Sequence, residues 1–337
     1  MKIETNFSLK NYNTFNIDAL ASKFVAVHTV DELTDVLRTY RSDRKFILGG
    51  GSNMLLTQDV DALVIHIDLK GKKIIREDDN FALVEAQAGE NWHEFVLFAI
   101  ENNLGGLENM SLIPGNVGTT PVQNIGAYGT ENKDTFVSCD AIELATGNTR
   151  TFLREECNFG YRDSIFKNEA KDKYVITSVV FQLTRRNHKI NTSYGDITKE
   201  LASHNIIEPT LKDVSNAVIA IRRSKLPDPK ELGNSGSFFK NPIIPKSEFD
   251  KIQPNFPEMP HYTVSDTEVK VPAGWLIEQA GFKGKRFGDA GIHKNQALVL
   301  VNYGNATGSE ILAVAKDIQA TVLQKFGIAI EAEVNVI

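Results

Sequence analysis

The feature that most constrains this chain is a run of nineteen residues, at positions 111–129, that fits neither a helix nor a strand. It contains four glycines and two prolines among small polar residues, without helical or alternating periodicity. A loop of this length inside a compact domain is usually functional. Its backbone donors, its apolar wall and the ring of Tyr128 suit a large flat cofactor with a diphosphate tail.

A second irregular stretch follows a short apolar strand at positions 46–48. The strand runs directly into a turn that consists of Gly49, Gly50, Gly51, Ser52 and Asn53. Consecutive backbone N–H groups in such a turn can cradle phosphate oxygens, and the alternative is a flexible turn without a ligand. The turn lacks the third glycine of a dinucleotide-binding fingerprint and the Gly-Lys-Ser/Thr of a Walker loop.

A third irregular stretch, at positions 233–242, contains two serines, two glycines and two adjacent phenylalanines. The glycines interrupt any regular element and let the backbone approach a ligand, while Phe238 and Phe239 can anchor the turn in a core. Lys225 and two prolines lie just upstream. An ordinary tight turn is the alternative, but we interpret the stretch as a rigid serine loop that binds a ligand.

Periodicity divides the chain into three predicted domains with boundaries at 1–70, 71–225 and 226–327. Thr29 and Glu32 predict a helix start, and Thr307 and Glu310 predict another that ends at Gly327. Further predicted helices follow Trp92 and cover 213–223 and 273–280. Predicted strands cover 63–67, 81–86, 141–144, 174–181, 297–301 and 328–337.

Three polar positions outside these loops are candidates for chemistry. Arg162 lies between Tyr161 and Asp163 and could clamp a carboxylate, although most single arginines form surface ion pairs. Tyr194 lies in a turn that we expect to be exposed. Alternation in the closing strand places Glu331 and Glu333 on one face, where they are either solvated or functional.

Composition limits the classes of protein that are compatible with this chain of 337 residues. A net charge of −6 argues against general nucleic-acid binding. Cys139 and Cys157 are too few for a disulfide framework, and no stretch reaches membrane-spanning length, so we expect a cytoplasmic protein. The seven histidines lack the spacing of metal ligands, and no metal is implied.

Taken together, these segments resemble the UDP-N-acetylenolpyruvoylglucosamine reductase family in its longer form. The resemblance covers nearly the whole chain. The matching motifs, in chain order, begin at Asn13, Gly49, Ile113, Pro121, Tyr161, Tyr194, Lys225, Gly236, Ala273 and Glu331.

The resemblance implies an α+β fold, with a two-part FAD-binding module of the vanillyl-alcohol-oxidase type and a C-terminal substrate domain. It also implies that the closing strand at 328–337 returns to the active site. It implies non-covalent FAD, NADPH as the reducing co-substrate, and a cytoplasmic reaction of peptidoglycan precursor synthesis on a UDP-sugar enolpyruvyl ether. A monomer without nucleic-acid or membrane partners is expected.

The resemblance also assigns roles to residues. Ser237 matches the proton donor, and Arg162 and Glu333 match the pair that binds and polarises the substrate carboxylate. Tyr194, Lys225 and Asn241 match positions around the substrate diphosphate. The cofactor-binding positions that it implies are Gly49, Gly50, Gly51, Ser52, Asn53, Pro114, Gly115, Gly118, Gln123, Asn124, Gly126, Ala127 and Tyr128.

The chain departs from the family pattern without losing a reacting group. Ala332 replaces a usual proline, and Ser235 introduces a second hydroxyl close to Ser237. On physical grounds alone, Ser235 and Glu331 compete with Ser237 and Glu333. Two other classes remain as alternatives: a different FAD-dependent oxidoreductase of the same superfamily, and a non-catalytic protein that binds a nucleotide sugar.

Overall fold

The computed structural model describes residues 2–337 and contains seven α-helices, joined by strands and short 3₁₀ turns. The helices are α1 (Val30–Thr39), α2 (Trp92–Glu101), α3 (Ile197–Ser203), α4 (Leu211–Lys225), α5 (Lys246–Ile252), α6 (Ala273–Gln279) and α7 (Gly308–Phe326).

The strands are short, and most of them pair antiparallel. They are β1 (Glu4–Ser8), β2 (Leu20–Val27), β3 (Lys45–Leu48), β4 (Met54–Leu55), β5 (Val60–Ile67), β6 (Lys72–Glu77), β7 (Phe81–Gln87), β8 (Gly126–Ala127), β9 (Thr130–Glu131), β10 (Phe136–Glu143), β11 (Thr149–Leu153), β12 (Tyr174–Thr184), β13 (Gly233–Asn234), β14 (Ile243–Pro245), β15 (Tyr262–Thr263), β16 (Glu268–Lys270), β17 (Arg286–Phe287), β18 (Ala290–Ile292), β19 (Leu300–Asn302) and β20 (Asn335–Val336).

The chain forms two compact units, each assembled from separate segments. The first unit contains Ser22–Gly50 and Asp61–Arg222, together with the start of the chain up to Phe7. The second unit contains Ser8–Ala21, Gly51–Val60 and Arg223–Ile337. The three domain boundaries expected from the sequence remain a prediction.

The first unit contains two sheets. One has the strand order β1-β2-β5-β3, and β3 runs parallel to β5 with Leu48 opposite His66. Helix α1 contributes Leu33, Val36 and Leu37 to the core beside this sheet. Its predicted start is confirmed, because the Thr29 hydroxyl accepts a hydrogen bond of 3.1 Å from the Glu32 backbone N–H.

The second sheet of this unit has five antiparallel strands in the order β11-β10-β12-β7-β6. Its core face is covered by α2 through a cluster of large aromatic side chains. The ring centroids of Phe95 and Phe181 are 5.2 Å apart, and those of Trp92 and Phe181 are 5.8 Å apart. Fully burying rings of this size is a large stabilising contribution, so this sheet is a rigid base for the loops at its ends.

The second unit contains the sheets β13-β19-β18-β17 and β14-β16-β15. Helix α7 begins and ends where the sequence predicts. Thr307 and Glu310 form a reciprocal capping box, and Gly327 closes the helix in the left-handed conformation at φ 70°. The predicted strand at 297–301 is displaced to β19, and the predicted helix at 213–223 extends to the bounds of α4.

The prediction of one continuous closing strand at 328–337 is wrong. Within positions 328–337 only β20 is a strand, and it pairs in parallel with β4. The preceding residues pair elsewhere, through an isolated antiparallel bridge between Phe239 and Ala332. Because the segment changes partners within a few residues, no single ladder forms, although its apolar alternation resembles that of a strand.

One buried side-chain amide among the described residues of the first unit has no hydrogen-bond partner. Asn132 is fully buried, and within residues 2–337 neither its Nδ2 nor its Oδ1 forms a hydrogen bond. An uncompensated amide destabilises the folded state. We therefore expect Asn132→Leu to raise the free energy of unfolding by about 1–2 kcal/mol, measured by urea denaturation.

The matched control for this substitution is Asn109→Leu. Asn109 is equally buried, but its Nδ2 donates to the carbonyl oxygens of Tyr128 and Asn191. This substitution leaves two carbonyl groups without their donor and should lower stability. A loss of stability in both variants would contradict the assignment of Asn132 as an unsatisfied group.

Candidate active site

The glycine turn after β3 presents consecutive backbone donors. The N–H groups of Gly50, Gly51 and Ser52 make no hydrogen bond to any residue in the range 2–337. Adjacent unpaired N–H groups of this kind form a concave site for an anion such as a diphosphate. The donor set therefore fits the anionic part of the implied FAD.

Within the first unit, Gly50 at the start of the glycine turn lies against the long loop at 111–129. A Cβ atom on Gly50 would lie 3.0 Å from the Gly115 Cα and 2.9 Å from the Asn116 Oδ1. The long loop contains only a 3₁₀ turn at Val117–Thr119 and strand β8, so its predicted irregularity is confirmed. Glycine at position 50 allows the two predicted cofactor loops to meet.

The long loop is fixed to the end of β7 and the start of α2. The Gly118 N–H donates to the Ala88 carbonyl at 2.9 Å, and the Trp92 N–H donates to the Gly115 carbonyl at 3.0 Å. A Cβ atom on Gly118 would lie 2.4 Å from the Ala88 Cβ. The predicted positions Pro114 and Gln123 lie in the same loop, exposed and half-buried respectively.

Asn124 differs from the other predicted cofactor residues because its side chain is committed to the protein. The residue is buried, and its Nδ2 donates to the Glu131 carboxylate at 3.0 Å and to the Gly160 carbonyl at 2.9 Å. Its Oδ1 accepts from the Lys133 N–H at 2.9 Å. The side chain therefore shapes the loop, and contact with a ligand would have to come from its backbone.

The hairpin of β8 and β9 carries the predicted residues Gly126, Ala127 and Tyr128. Its two turn residues, Tyr128 and Gly129, have φ values of 50° and 80°, as a tight hairpin of the mirror-image type requires. The ring of Tyr128 packs against the apolar cluster of α3 and α4. This packing fixes the direction in which the hairpin points.

Arg162 is held against this hairpin. Its Nη2 donates to the Gly126 carbonyl at 2.8 Å, and its guanidinium lies 5.5 Å from the centroid of the Tyr161 ring. Its backbone has φ 54°, an unusual conformation for a non-glycine residue and one that often marks functional sites. Arg162 is half-buried rather than fully exposed, and its role in binding a carboxylate remains a prediction.

Arg222 is a neighbouring cation that the sequence interpretation missed. Its Nε donates to the Leu112 carbonyl at 3.3 Å, so α4 is connected to the long loop. Burial is the main cause that lowers the pKa of Arg222; Tyr128 opposes this shift, and the charge of Arg162 adds to it. Arg222 follows Val218 by four residues and therefore lies on the apolar face of α4. A cation on the apolar face of a predicted helix is the sequence signal by which Arg222 could have been found.

The predicted tyrosine turn lies next to the same hairpin. A Cβ atom on Gly129 would lie 3.4 Å from the Tyr194 Cβ, and one on Gly195 would lie 3.6 Å from the Tyr128 ring. The Tyr194 side chain is 55% exposed, as expected for a residue that could close over a ligand. The first unit thus assembles Tyr128, Arg162, Arg222 and Tyr194 in one region.

The second unit assembles a different set of predicted residues. Gly51, at φ 60°, accepts a hydrogen bond of 3.1 Å from the Thr14 N–H. Two residues later, the Asn53 Nδ2 donates to the backbone carbonyl of Glu333 at 3.3 Å. The end of the glycine turn therefore fixes the segment that carries Glu333.

The two serines of the third loop have different environments. Ser235 is 7% exposed, and its hydroxyl lies 3.3 Å from both the Thr14 Oγ1 and the Met54 carbonyl. Ser237 is half-buried, and within residues 2–337 its hydroxyl forms no hydrogen bond. The structure thus favours a structural role for Ser235 and leaves the Ser237 hydroxyl available to a ligand.

The two glutamates of the closing segment also differ. Glu331 is 79% exposed at its side chain and lies 3.5 Å from the Lys240 Nζ, which is a solvated surface pair. Glu333 is half-buried, and its N–H donates to the carbonyl of Phe238 at 2.8 Å. Because Phe238 directly follows Ser237, the backbone holds Glu333 beside the serine loop.

Asn241 and Lys225 complete the predicted set. The Asn241 Oδ1 accepts from the N–H of Ala273, the first residue of α6, at 2.9 Å, while its Nδ2 has no partner within residues 2–337. Lys225 is exposed at the end of α4.

No helix in the described part of the chain is long and apolar enough to cross a membrane.

Comparison with known proteins agrees with this geometry. A family model described as an FAD binding domain matches residues 21–152. A second model, described as the C-terminal domain of UDP-N-acetylenolpyruvoylglucosamine reductase, matches residues 228–337.

Individual proteins also match over all or nearly all of their length. The chain is 75% identical over 337 residues to a UDP-N-acetylenolpyruvoylglucosamine reductase of Flavobacterium johnsoniae, covering all of both chains. It is 47% identical to the protein of that name from Chromobacterium violaceum, covering 99% of this chain and 98% of the other. A crystal structure of the Thermus caldophilus reductase has a TM-score of 0.68 at 23% identity, covers 100% of this chain and 99% of that one, and shares the fold.

The FAD-binding domain and the mixed α+β architecture define an FAD-binding oxidoreductase, which confirms the predicted fold class. Within that class, the chain belongs to the UDP-N-acetylenolpyruvoylglucosamine reductase family.

Proposed function

We propose that this protein uses NADPH to reduce the enolpyruvyl group of UDP-N-acetylglucosamine enolpyruvate, which yields UDP-N-acetylmuramate in cytoplasmic peptidoglycan precursor synthesis. The observation that carries the proposal is the arrangement of the serine loop. Within residues 2–337 the Ser237 hydroxyl forms no hydrogen bond. The next residue, Phe238, accepts a hydrogen bond of 2.8 Å at its carbonyl from the Glu333 N–H, so Glu333 is held beside the serine loop. The names of the relatives support the choice of substrate.

The cofactor in this proposal is FAD, held non-covalently. The unpaired N–H groups of Gly50, Gly51 and Ser52 would bind its diphosphate, and the long loop would line the rest. No histidine or cysteine occurs at positions 49–53 or 111–129 to form a covalent tether. When bound, FAD supplies the hydride transfer from NADPH to the substrate, which no protein side chain can perform.

Side chains of the protein stabilise the charge that develops on the substrate and supply the proton. As the double bond is reduced, negative charge collects on the carbon next to the substrate carboxylate and on the carboxylate itself. Arg162 is pre-oriented by its bond to the Gly126 carbonyl and can neutralise this charge. Ser237 donates its hydroxyl proton to the carbon, and Glu333 polarises the same region.

The remaining residues act on the nucleotide part of the substrate. Lys225 supplies a positive charge for the diphosphate, and Asn241 has an unpartnered Nδ2 within the described chain that can donate to it. The exposed Tyr194 would close over the same group. Binding energy from these distant contacts positions the double bond for reaction.

The colour of the purified protein tests this function. We expect a yellow protein that bleaches when NADPH is added without oxygen and recolours when the enolpyruvyl UDP-sugar follows. A protein that bleaches but recolours only with another acceptor would be a different FAD-dependent oxidoreductase. A colourless protein that cannot be reconstituted with FAD but binds the UDP-sugar would be a nucleotide-sugar binding protein, and either result would refute the proposal.

The two glutamates provide a matched pair of variants. Glu333→Gln removes the carboxyl group beside the serine loop and its ability to take up and release a proton, and we expect substrate-driven recolouring to slow by ~10² or more. Glu331→Gln removes only an exposed charge whose partner is Lys240, so its rate should stay within about twofold. Stopped-flow absorbance measures both, and a slow Glu331→Gln beside a normal Glu333→Gln would reverse the assignment.

A further inference from the structure

A cavity of about 560 Å³ opens in the first unit, outside the residues assigned above to FAD and substrate. It lies at one end of the five-stranded sheet, where Phe81, Val137, Leu153 and Gln182 line it. Its volume falls in the range of sites for small organic molecules. The side chains of its floor indicate what kind of molecule it would accept.

The floor contains a buried carboxylate without a counter-charge. Glu108 is 3% exposed, and its Oε2 accepts a hydrogen bond of 2.7 Å from the Gly106 N–H. Within residues 2–337 no lysine, arginine or histidine pairs with it. Burying an unpaired carboxylate is costly, so a cation from outside the chain would stabilise this site.

Thr135 also lines the cavity, at 8% exposure, but its hydroxyl group is enclosed by the protein. Within residues 2–337 its Oγ1 has no hydrogen-bond partner. Its methyl group lies over Gly106, the residue that donates to Glu108, since a Cβ atom there would be 2.9 Å from the Thr135 Cγ2. The Glu108 carboxylate is therefore the acceptor that the floor offers to a ligand.

The rim of the cavity carries charges of both signs. Lys189 and Arg154 line it as exposed cations, and within residues 2–337 neither forms an ion pair. Asp134 and Glu155 line it as exposed carboxylates. A ligand with an ammonium group at the floor and an anionic group at the rim would therefore find a partner at each end.

We propose that this cavity binds a small organic zwitterion, whose primary ammonium group donates to the Glu108 carboxylate while its carboxylate faces Lys189. The Gly106 N–H occupies Oε2 of Glu108, and within residues 2–337 Oε1 forms no hydrogen bond and can accept from the ammonium group. The volume is far larger than a single metal ion needs, and that favours an organic ligand.

The cavity has a direct structural connection to the candidate active site. Glu108 and Asn109 share the 3₁₀ turn Glu108–Met110. The Asn109 side chain donates to the carbonyls of Tyr128 and Asn191, which hold the hairpin and the start of the tyrosine turn. A ligand bound to Glu108 would thus stabilise a turn that both of these segments contact.

The test uses 5-aminopentanoate as probe, with pentylamine and pentanoate as single-charge controls. Binding to the full-length protein is measured by isothermal titration calorimetry at constant ionic strength. We expect 5-aminopentanoate to bind, pentylamine to bind more weakly, and pentanoate not to bind. Absence of binding by 5-aminopentanoate, or equal binding by pentanoate, would overturn the proposal.

Matched variants locate the probe. Glu108→Gln keeps an oxygen to accept the Gly106 N–H but removes the charge, and we expect it to weaken binding at least ~10-fold. Thr135→Val removes only an enclosed hydroxyl group, so this variant and Glu155→Gln at the exposed rim should both stay within about twofold. Unchanged affinity in Glu108→Gln would show that the probe binds elsewhere and refute the site.

Discussion

The Ser237→Ala variant is expected to bleach with NADPH at a rate within a few-fold of the unmodified protein but to recolour ~10²–10⁴ times more slowly with the enolpyruvyl UDP-sugar. Reduction of the flavin by NADPH needs no proton delivered to carbon, whereas reduction of the substrate does. The substitution removes the donor hydroxyl and leaves the backbone of the serine loop in place. Rapid-mixing absorbance follows both phases in one experiment.

Ser235→Ala is the control for this prediction. Its hydroxyl lies 3.3 Å from the Thr14 Oγ1 and from the Met54 carbonyl, so its loss should lower stability by about 1 kcal/mol and leave both phases nearly unchanged. If Ser237→Ala recoloured at a normal rate, or if Ser235→Ala were the variant that failed, Ser237 would not be the proton donor.

The Gly51→Ala variant is expected to lose about 4 kcal/mol of stability, a large part of what a typical domain has. Two effects add at this position. The left-handed backbone at φ 60° costs an alanine about 1 kcal/mol. The new Cβ would also lie 2.0 Å from the Tyr12 carbonyl oxygen and 3.0 Å from the Asn13 Cα, so the backbone of Tyr12 and Asn13 must move.

Gly236→Ala is the matched control because it shares one of these effects. Its φ of 69° is similarly left-handed, but a Cβ atom there would meet no atom within 4 Å. We expect a loss of only about 1 kcal/mol in urea denaturation. Equal losses in the two variants would mean that backbone conformation alone, and not the approach to Tyr12, makes Gly51 necessary.

The sequence predicted the parts of the fold that depend on local signals. Thr29, Thr307 and Gly327 mark helix ends through side-chain caps and a left-handed glycine, and each acts over a few residues. The closing segment was predicted as a single strand because alternation does not reveal the partner. Its residues bond first to Phe239 and then to β4, and only tertiary pairing determines that change.

The residues of the candidate site were selected through motifs, and their roles remain a prediction. The motif match selected Ser237 over Ser235 and Glu333 over Glu331, whereas residue type and position alone did not separate the members of these pairs. Burial and hydrogen bonds separate them, since Ser235 is bonded to Thr14 and Glu331 is exposed to solvent. Arg222 was missed because helical periodicity was used to find apolar residues, although a charge on that apolar face is itself a signal.

Product analysis in D₂O is the most direct test of the central claim. The protein is loaded with FAD and supplied with NADPH and UDP-N-acetylglucosamine enolpyruvate in deuterated buffer, and the product is examined by mass spectrometry and proton NMR. We predict UDP-N-acetylmuramate with one solvent deuterium on the carbon next to the carboxylate, because the Ser237 hydroxyl exchanges with solvent before it donates. Unchanged substrate, or a product without deuterium at that carbon, would contradict the account.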